Sequence, residues 1–179
     1  MSDGWEGILD KGETILWQGR PDGAIVFTFT NAFTSLFGVA FAGFALFWMI
    51  MASQAGGGFW MFGLIHFSVG IGLAIGPIGW SAWRRRRTWY TLTDRRAFIA
   101  TNMAVRGKSL DSYPITDDTV LTLEQGPPDN LFFATRTKPT KNGTRTVKLG
   151  FERIDQGREV YRMMRDIQEN ARSKGIQQQ

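Results

Sequence analysis

Residues 23–83 read GAIVFTFTNAFTSLFGVAFAGFALFWMIMASQAGGGFWMFGLIHFSVGIGLAIGPIGWSAW, 61 consecutive positions without Asp, Glu, Lys or Arg in a chain of 179. A soluble domain of that length would need charged side chains on its surface; a pair of membrane-spanning helices needs none. The tract predicts a transmembrane hairpin. Its first span covers about residues 33–53, and twenty-one helical residues reach about 31 Å, close to one hydrocarbon core. Nine Phe, Leu, Val and Ile side chains in that span favour insertion by about 3–5 kcal/mol. Gln54-Ala55-Gly56-Gly57-Gly58 is the turn. The second span covers about residues 59–80, and so short a turn makes the two helices antiparallel neighbours.

Helices in contact in lipid favour small residues, which let backbones approach closely. Ser68, Gly72 and Gly76 make such a face on the second span, and Gly38 and Ala42 on the first. Two uses are open to these faces: packing within the hairpin, or a seam between two chains. Gly76-Pro77 predicts a kink near one end of the second span. Trp48 and Trp60 mark one lipid–water interface, Trp80 and Trp83 the other. His66 lies within the second span with no charged partner in either, and is read as a neutral side chain bonded to Ser68, Ser35 or a backbone carbonyl.

Outward from the hairpin, charge divides unevenly. Residues 1–22 carry net −3 and residues 84–179 net +8. Arg84, Arg85, Arg86 and Arg87 close the apolar tract, whereas the turn between the spans is uncharged. The positive-inside rule then predicts a multi-pass protein of the cytoplasmic (inner) membrane with both termini in the cytoplasm. The four arginines serve as a topology signal or as a contact to anionic lipid. The acidic start and late, long apolar segment are unlike a cleaved signal peptide. Cysteine is absent, which excludes disulfides, thiolate metal sites and thiol catalysis.

Residues 1–22 predict a cytoplasmic head. Thr14-Ile15-Leu16-Trp17 reads as a short strand and Gly19 to Gly23 as a turn. Trp17 and Arg20 either sit at the headgroup level or belong to a flexible lead-in with one buried Trp. After the hairpin the period changes to two. Residues 89–93 and 97–101 flank an Asp94-Arg95-Arg96 turn, and further strands are expected over 109–115, 119–124, 131–137 and 145–151, the last two joined by Asn142-Gly143. A closing helix follows Asp155, with Val160, Met164, Ile167 and Ala171 as its apolar stripe. The expected domains are residues 1–22, 23–83 and 84–173, with a flexible tail over 174–179. The expected fold is a membrane α-helical hairpin plus an antiparallel α+β sheet or barrel of six or seven strands, capped by a C-terminal helix.

Three groups of residues carry a resemblance. The first is Gly12-Glu13 followed by Trp17-Gln18-Gly19-Arg20-Pro21, just before a two-helix hairpin. The second is Tyr90-Thr91-Leu92-Thr93-Asp94-Arg95-Arg96 soon after it. The third is Tyr113-Pro114-Ile115 leading to Val120. In this order the chain resembles bacterial membrane proteins with a pleckstrin-homology-like (PH-like) domain. The resemblance implies a sheet-plus-helix fold, gives Arg96 the place of the family's Arg, and implies no settled activity. Residues 101–108 are less regular than the family's tight turn.

No nucleotide-binding, hydrolase or zinc-protease motif occurs. Gly143-Thr144-Arg145-Thr146 is similar to the Ser-Thr-Arg-Thr phosphate loop of aspartate carbamoyltransferase, but that loop opens a helix and this segment opens a strand. Asp111 and Asp117-Asp118 are read as solvated turn residues, not metal ligands. The expectation is a non-enzymatic interaction module, without cofactor, metal or nucleic acid. It binds a protein segment or assembles with copies of itself at the bilayer. The alternative is a sensor of anionic lipid headgroups that uses Arg84 to Arg87 with Arg95 and Arg96.

Overall fold

In a computed structural model, which describes residues 4–26, 28–103, 107–140 and 143–176, the chain divides into two compact units. One is Gly23–Arg84; the other joins Met1–Asp22 to Arg85–Gln179.

The apolar unit is a helical hairpin. Helix α1 covers Phe29–Gln54, capped by Thr28, whose Oγ1 accepts from the Asn31 backbone N–H at 3.2 Å. A single 3-10 turn, Phe59–Phe62, leads into α2, Gly63–Arg86. Both helices are long and apolar enough to cross a membrane. Their outer faces carry Phe29, Phe33, Leu36, Phe47, Ile65 and Ile75, all exposed. Pro77 lies inside α2, and the helix runs on through it to Arg86.

Gly38 and Ala42 pack within the hairpin, but against Gly70 and Ala74. A Cβ on Gly38 would lie 2.4 Å from the Ala74 backbone nitrogen, and one on Gly70 would lie 2.7 Å from that of Ala42. Ser68 is exposed, and a Cβ on Gly72 or Gly76 would meet nothing within 4 Å. Contact with α1 therefore falls on a different face of α2 from the one expected. Two small-residue rows share the helix, and Gly63, Gly70 and Ala74 turn toward α1 while Gly72 and Gly76 turn away. His66 Nδ1 lies 3.4 Å from the Phe62 carbonyl oxygen, the backbone partner among those expected.

The second unit corrects the expected domain division, because the head is a strand of the sheet. Strand β1, Ile15–Gly19, pairs antiparallel with β2, Thr88–Thr93, putting Trp17 opposite Leu92 and Gly19 opposite Tyr90. β2 turns into β3, Arg96–Met103, and β3 pairs along its whole length with β4, Gly107–Pro114. The order β1-β2-β3-β4 makes one sheet. A second sheet holds β5 (Thr122–Glu124), β6 (Asp129–Thr140) and β7 (Gly143–Ile154). Helix α3, Gly157–Ile176, follows.

β5 is shorter than expected. Thr119 donates its backbone N–H to the Thr116 carbonyl, and its hydroxyl accepts from the Thr116 N–H, so residues 116–119 form a turn. β6 and β7 are longer, and the Asn142 half of the expected Asn142-Gly143 turn lies outside the described residues. α3 reaches three residues past the expected start of the tail, whose last part, 177–179, is also outside them.

Leu92, Ala97, Ile115, Leu131, Phe151 and Ile154 form the core with Val160, Met164 and Ile167 of α3. Trp17 is partly buried against this core: its ring lies 5.4 Å from that of Phe151, and its Nε1–H donates to Gln156 Oε1 at 2.7 Å. The same ring covers Gly19, where a Cβ would come within 2.3 Å of it. Gln168, buried on α3, donates to the carbonyls of Thr116 and Thr119 and ties the helix to the link between the sheets.

The two points where the chain leaves this unit sit together. Arg85 Nε donates to the Asp22 carbonyl at 3.1 Å. The Asp22 carboxylate pairs with Arg153, whose left-handed backbone (φ 55) is braced by Asn130 Oδ1 accepting from its N–H.

Candidate functional site

Alternation along the four-stranded sheet puts Tyr90, Leu92 and Ala97 into the core and leaves Trp89, Thr91, Phe98, Ala100 and Leu110 on the opposite face. A sheet face turned to water would carry polar residues here. This one carries Trp, Phe, Ala and Leu.

The head folds over part of that face. Trp5 meets Phe98 edge-on at 5.3 Å, and Phe98 is 2% exposed as a result. What the head leaves uncovered is a groove of about 880 Å³, walled by Trp5 and Ile8 and floored by Trp89, Phe98, Ala100 and Leu110. Arg20 and Lys108 line it, and among the described residues no carboxylate does. The Arg20 guanidinium lies 4.9 Å from the Trp89 ring, a cation–π contact that leaves its edge N–H groups available. Gln18, Asn102 and Ser109 add polar groups along the rim. An apolar floor flanked by two cations suits a ligand with an apolar body and a negative end.

The head is fixed from below by a buried ion pair. The Glu13 side chain is fully buried and accepts from Arg96 Nε at 3.1 Å, from a second Arg96 nitrogen, and from the Thr93 hydroxyl at 2.6 Å. The Asp10 backbone N–H donates to it as well. The Arg96 hydrogen bond does most to hold the Glu13 pKa down to about 2, against the opposing effect of burial; Thr93 and Asp10 add to it. Arg96 is raised by the same bond. Next to it, Asp94 exchanges two hydrogen bonds with Thr14.

The residues singled out as lipid contacts therefore separate. Arg96 is held by Glu13 and Asp10 and stacks over Phe98. Arg95 is exposed at the β2–β3 turn. Arg84, Arg85 and Arg86 lie in the last turn of α2, where Arg85 binds Asp22; the Arg87 carbonyl accepts from the Asn102 N–H. Arg20 and Lys108, which line the groove, were not singled out as a pair. They lie 88 positions apart in sequence, and only the β1-β2-β3-β4 pairing brings them to one groove. Asp111 pairs with Arg136 at 3.5 Å, and Asp117 and Asp118 lie in an exposed turn.

No protein-family model, curated protein or solved structure matches the chain.

Proposed function

We propose that this is a bacterial integral membrane protein whose hairpin crosses the cytoplasmic membrane twice, and whose PH-like domain is a non-enzymatic module on the cytoplasmic side. Its groove takes the headgroup and upper chain of an anionic lipid. The observation that carries this reading is the outward apolar floor of the four-stranded sheet flanked by Arg20 and Lys108, with no acid among the described lining residues.

Two features support it. The 61-residue uncharged tract and the exposed apolar side chains of both helices have no use in water. Four arginines, Arg84 to Arg87, close the uncharged tract at the end of the second helix and none lies between the helices, which is the pattern that retains a chain end in the cytoplasm.

The test is a titration of the full chain in neutral detergent with short-chain phosphatidylglycerol, phosphatidylcholine of the same chain length, and inorganic phosphate. Saturable binding of the anionic lipid, about tenfold weaker in Arg20→Gln with Lys108→Gln, is expected from losing two exposed charge contacts. Equal binding of both lipids, or indifference to the two substitutions, would overturn the reading. Phosphate binding as tightly as the lipid would make the ligand a small anion.

A further inference from the structure

A second basic surface lies elsewhere in the same unit. From residue 130 to residue 151 the chain holds five Lys or Arg and no Asp or Glu. These residues form most of the β6–β7 ribbon. Its near end is the Asn130–Arg153 contact beside Asp22, and ten further residues of β6 carry the far end about 33 Å away. The core stops at Phe133 and Phe151; residues 135–140 and 143–146 are all exposed.

Two of the cations have partners at the base of the ribbon. Arg136 pairs with Asp111 and Lys148 with Glu124. Further out, Lys138 stands directly opposite Arg145 in the ladder. Like charges facing each other across a strand pair are destabilising, and no acid among the described residues pairs with either. β7 also ends its sheet, so the outer edge of Thr144–Leu149 has no strand beside it among the described residues. Pro139 removes one N–H from β6, while β7 from Gly143 to Ile154 has no proline.

We infer that the outer edge of β7 captures an acidic, extended protein segment by strand addition. Backbone groups in a row supply affinity, and Lys138 and Arg145 select for carboxylates. The same charges repel a second copy of the ribbon, so the edge discriminates against self-pairing. A nucleic acid would satisfy the charges but has no use for an open strand edge. This surface is separate from the groove and does not depend on lipid being the groove's ligand.

The test uses the full chain in neutral detergent and a short labelled peptide alternating glutamate with valine and threonine, followed by fluorescence anisotropy. Saturable binding is expected, about tenfold weaker for Lys138→Gln with Arg145→Gln, since two charge contacts are lost. The same peptide with alternate backbone nitrogens methylated keeps its charge and loses its strand-forming N–H groups, and should bind at least as weakly. A matched peptide with glutamine for glutamate should not bind. Equal binding of the methylated peptide, or no effect of the two substitutions, would overturn the inference. So would tighter binding of a DNA duplex or of phosphatidylglycerol vesicles that also depends on Lys138 and Arg145. Both side chains are exposed, and an unchanged melting temperature would show that the variant is folded.

Discussion

Glu13 and Arg96 are 83 positions apart in sequence and share a multiply hydrogen-bonded ion pair whose carboxylate is buried. One belongs to the segment before the hairpin and the other to the first β-turn after it. Thr14 and Asp94 repeat the connection close by, one residue from Glu13 and two from Arg96. Two of the sequence motifs that suggested a family thus turn out to be each other's partners. They close the 61-residue hairpin into a loop whose base is the β1–β2 ladder.

The pair makes stability depend on acid. Glu13 has its folded pKa depressed from 4.5 to about 2. Its contribution is therefore complete above the unfolded value and is lost as pH falls through the folded one. A shift of this size corresponds to at most about 3 kcal/mol. Glu13→Gln should lower stability at pH 7 by about 2–3 kcal/mol, because Arg96 is left half-buried without its carboxylate. Denaturant unfolding of the wild type and variant between pH 7 and pH 2 should show the two curves converging at the acid end. A gap that persists unchanged at the lowest pH would contradict the assignment.

Trp5 covers Phe98 and walls the groove. Trp5→Ala should cost about 1 kcal/mol for the lost ring pair, and more where Phe98 becomes wet. It should also weaken ligand binding while leaving the β1–β2 ladder intact. Hydrogen exchange checks both: protection should fall in β3 around Phe98 and stay unchanged across Trp17 and Leu92.

The hairpin makes a sharp distinction between glycines. Gly38→Leu and Gly70→Leu place side chains into backbone on the facing helix and should destabilise the hairpin by about 1–3 kcal/mol or more. Gly72→Leu and Gly76→Leu meet open space and should leave the monomer's thermal stability in detergent unchanged. If the Gly72 face joins two chains, those same substitutions shift the oligomeric state, which sedimentation in detergent reads directly.

Topology has a direct chemical test, since the chain has no cysteine of its own. A cysteine at Ala55, exposed in the turn between the helices, should react with a membrane-impermeant maleimide added to intact cells. One at Ser173 on α3 should react only after the membrane is opened. The reverse pattern would invert the proposed orientation.

The hairpin was legible in the sequence because charge is absent from it and glycines interrupt it once. The strands were legible from alternation, and the closing helix from the stripe Val160, Met164, Ile167. Three things were not. The head read as a separate segment because pairing Trp17 with Leu92 depends on contacts across the whole hairpin. The faces of α2 could not be ranked, because both glycine rows have helical spacing and only packing against Ala42 and Ala74 selects one. The groove was hidden for a related reason. Tyr90, Leu92 and Ala97 and, on the other face, Trp89, Phe98 and Ala100 are all apolar, so alternation could not mark which side was core. Arg96 looked like a lipid contact because its buried partner, Glu13, lies in the distant head.

The most direct measurement is photo-crosslinking of the full chain in bilayers containing a photoreactive phosphatidylglycerol, with the labelled peptides mapped by mass spectrometry. Labelling should fall on β3 between Phe98 and Asn102, on β4 between Lys108 and Leu110, and on Trp89, and should drop sharply in Arg20→Gln with Lys108→Gln. Labelling confined to α1, α2 and Arg84 to Arg87, unaffected by those two substitutions, would contradict the account and leave the groove without a lipid to hold.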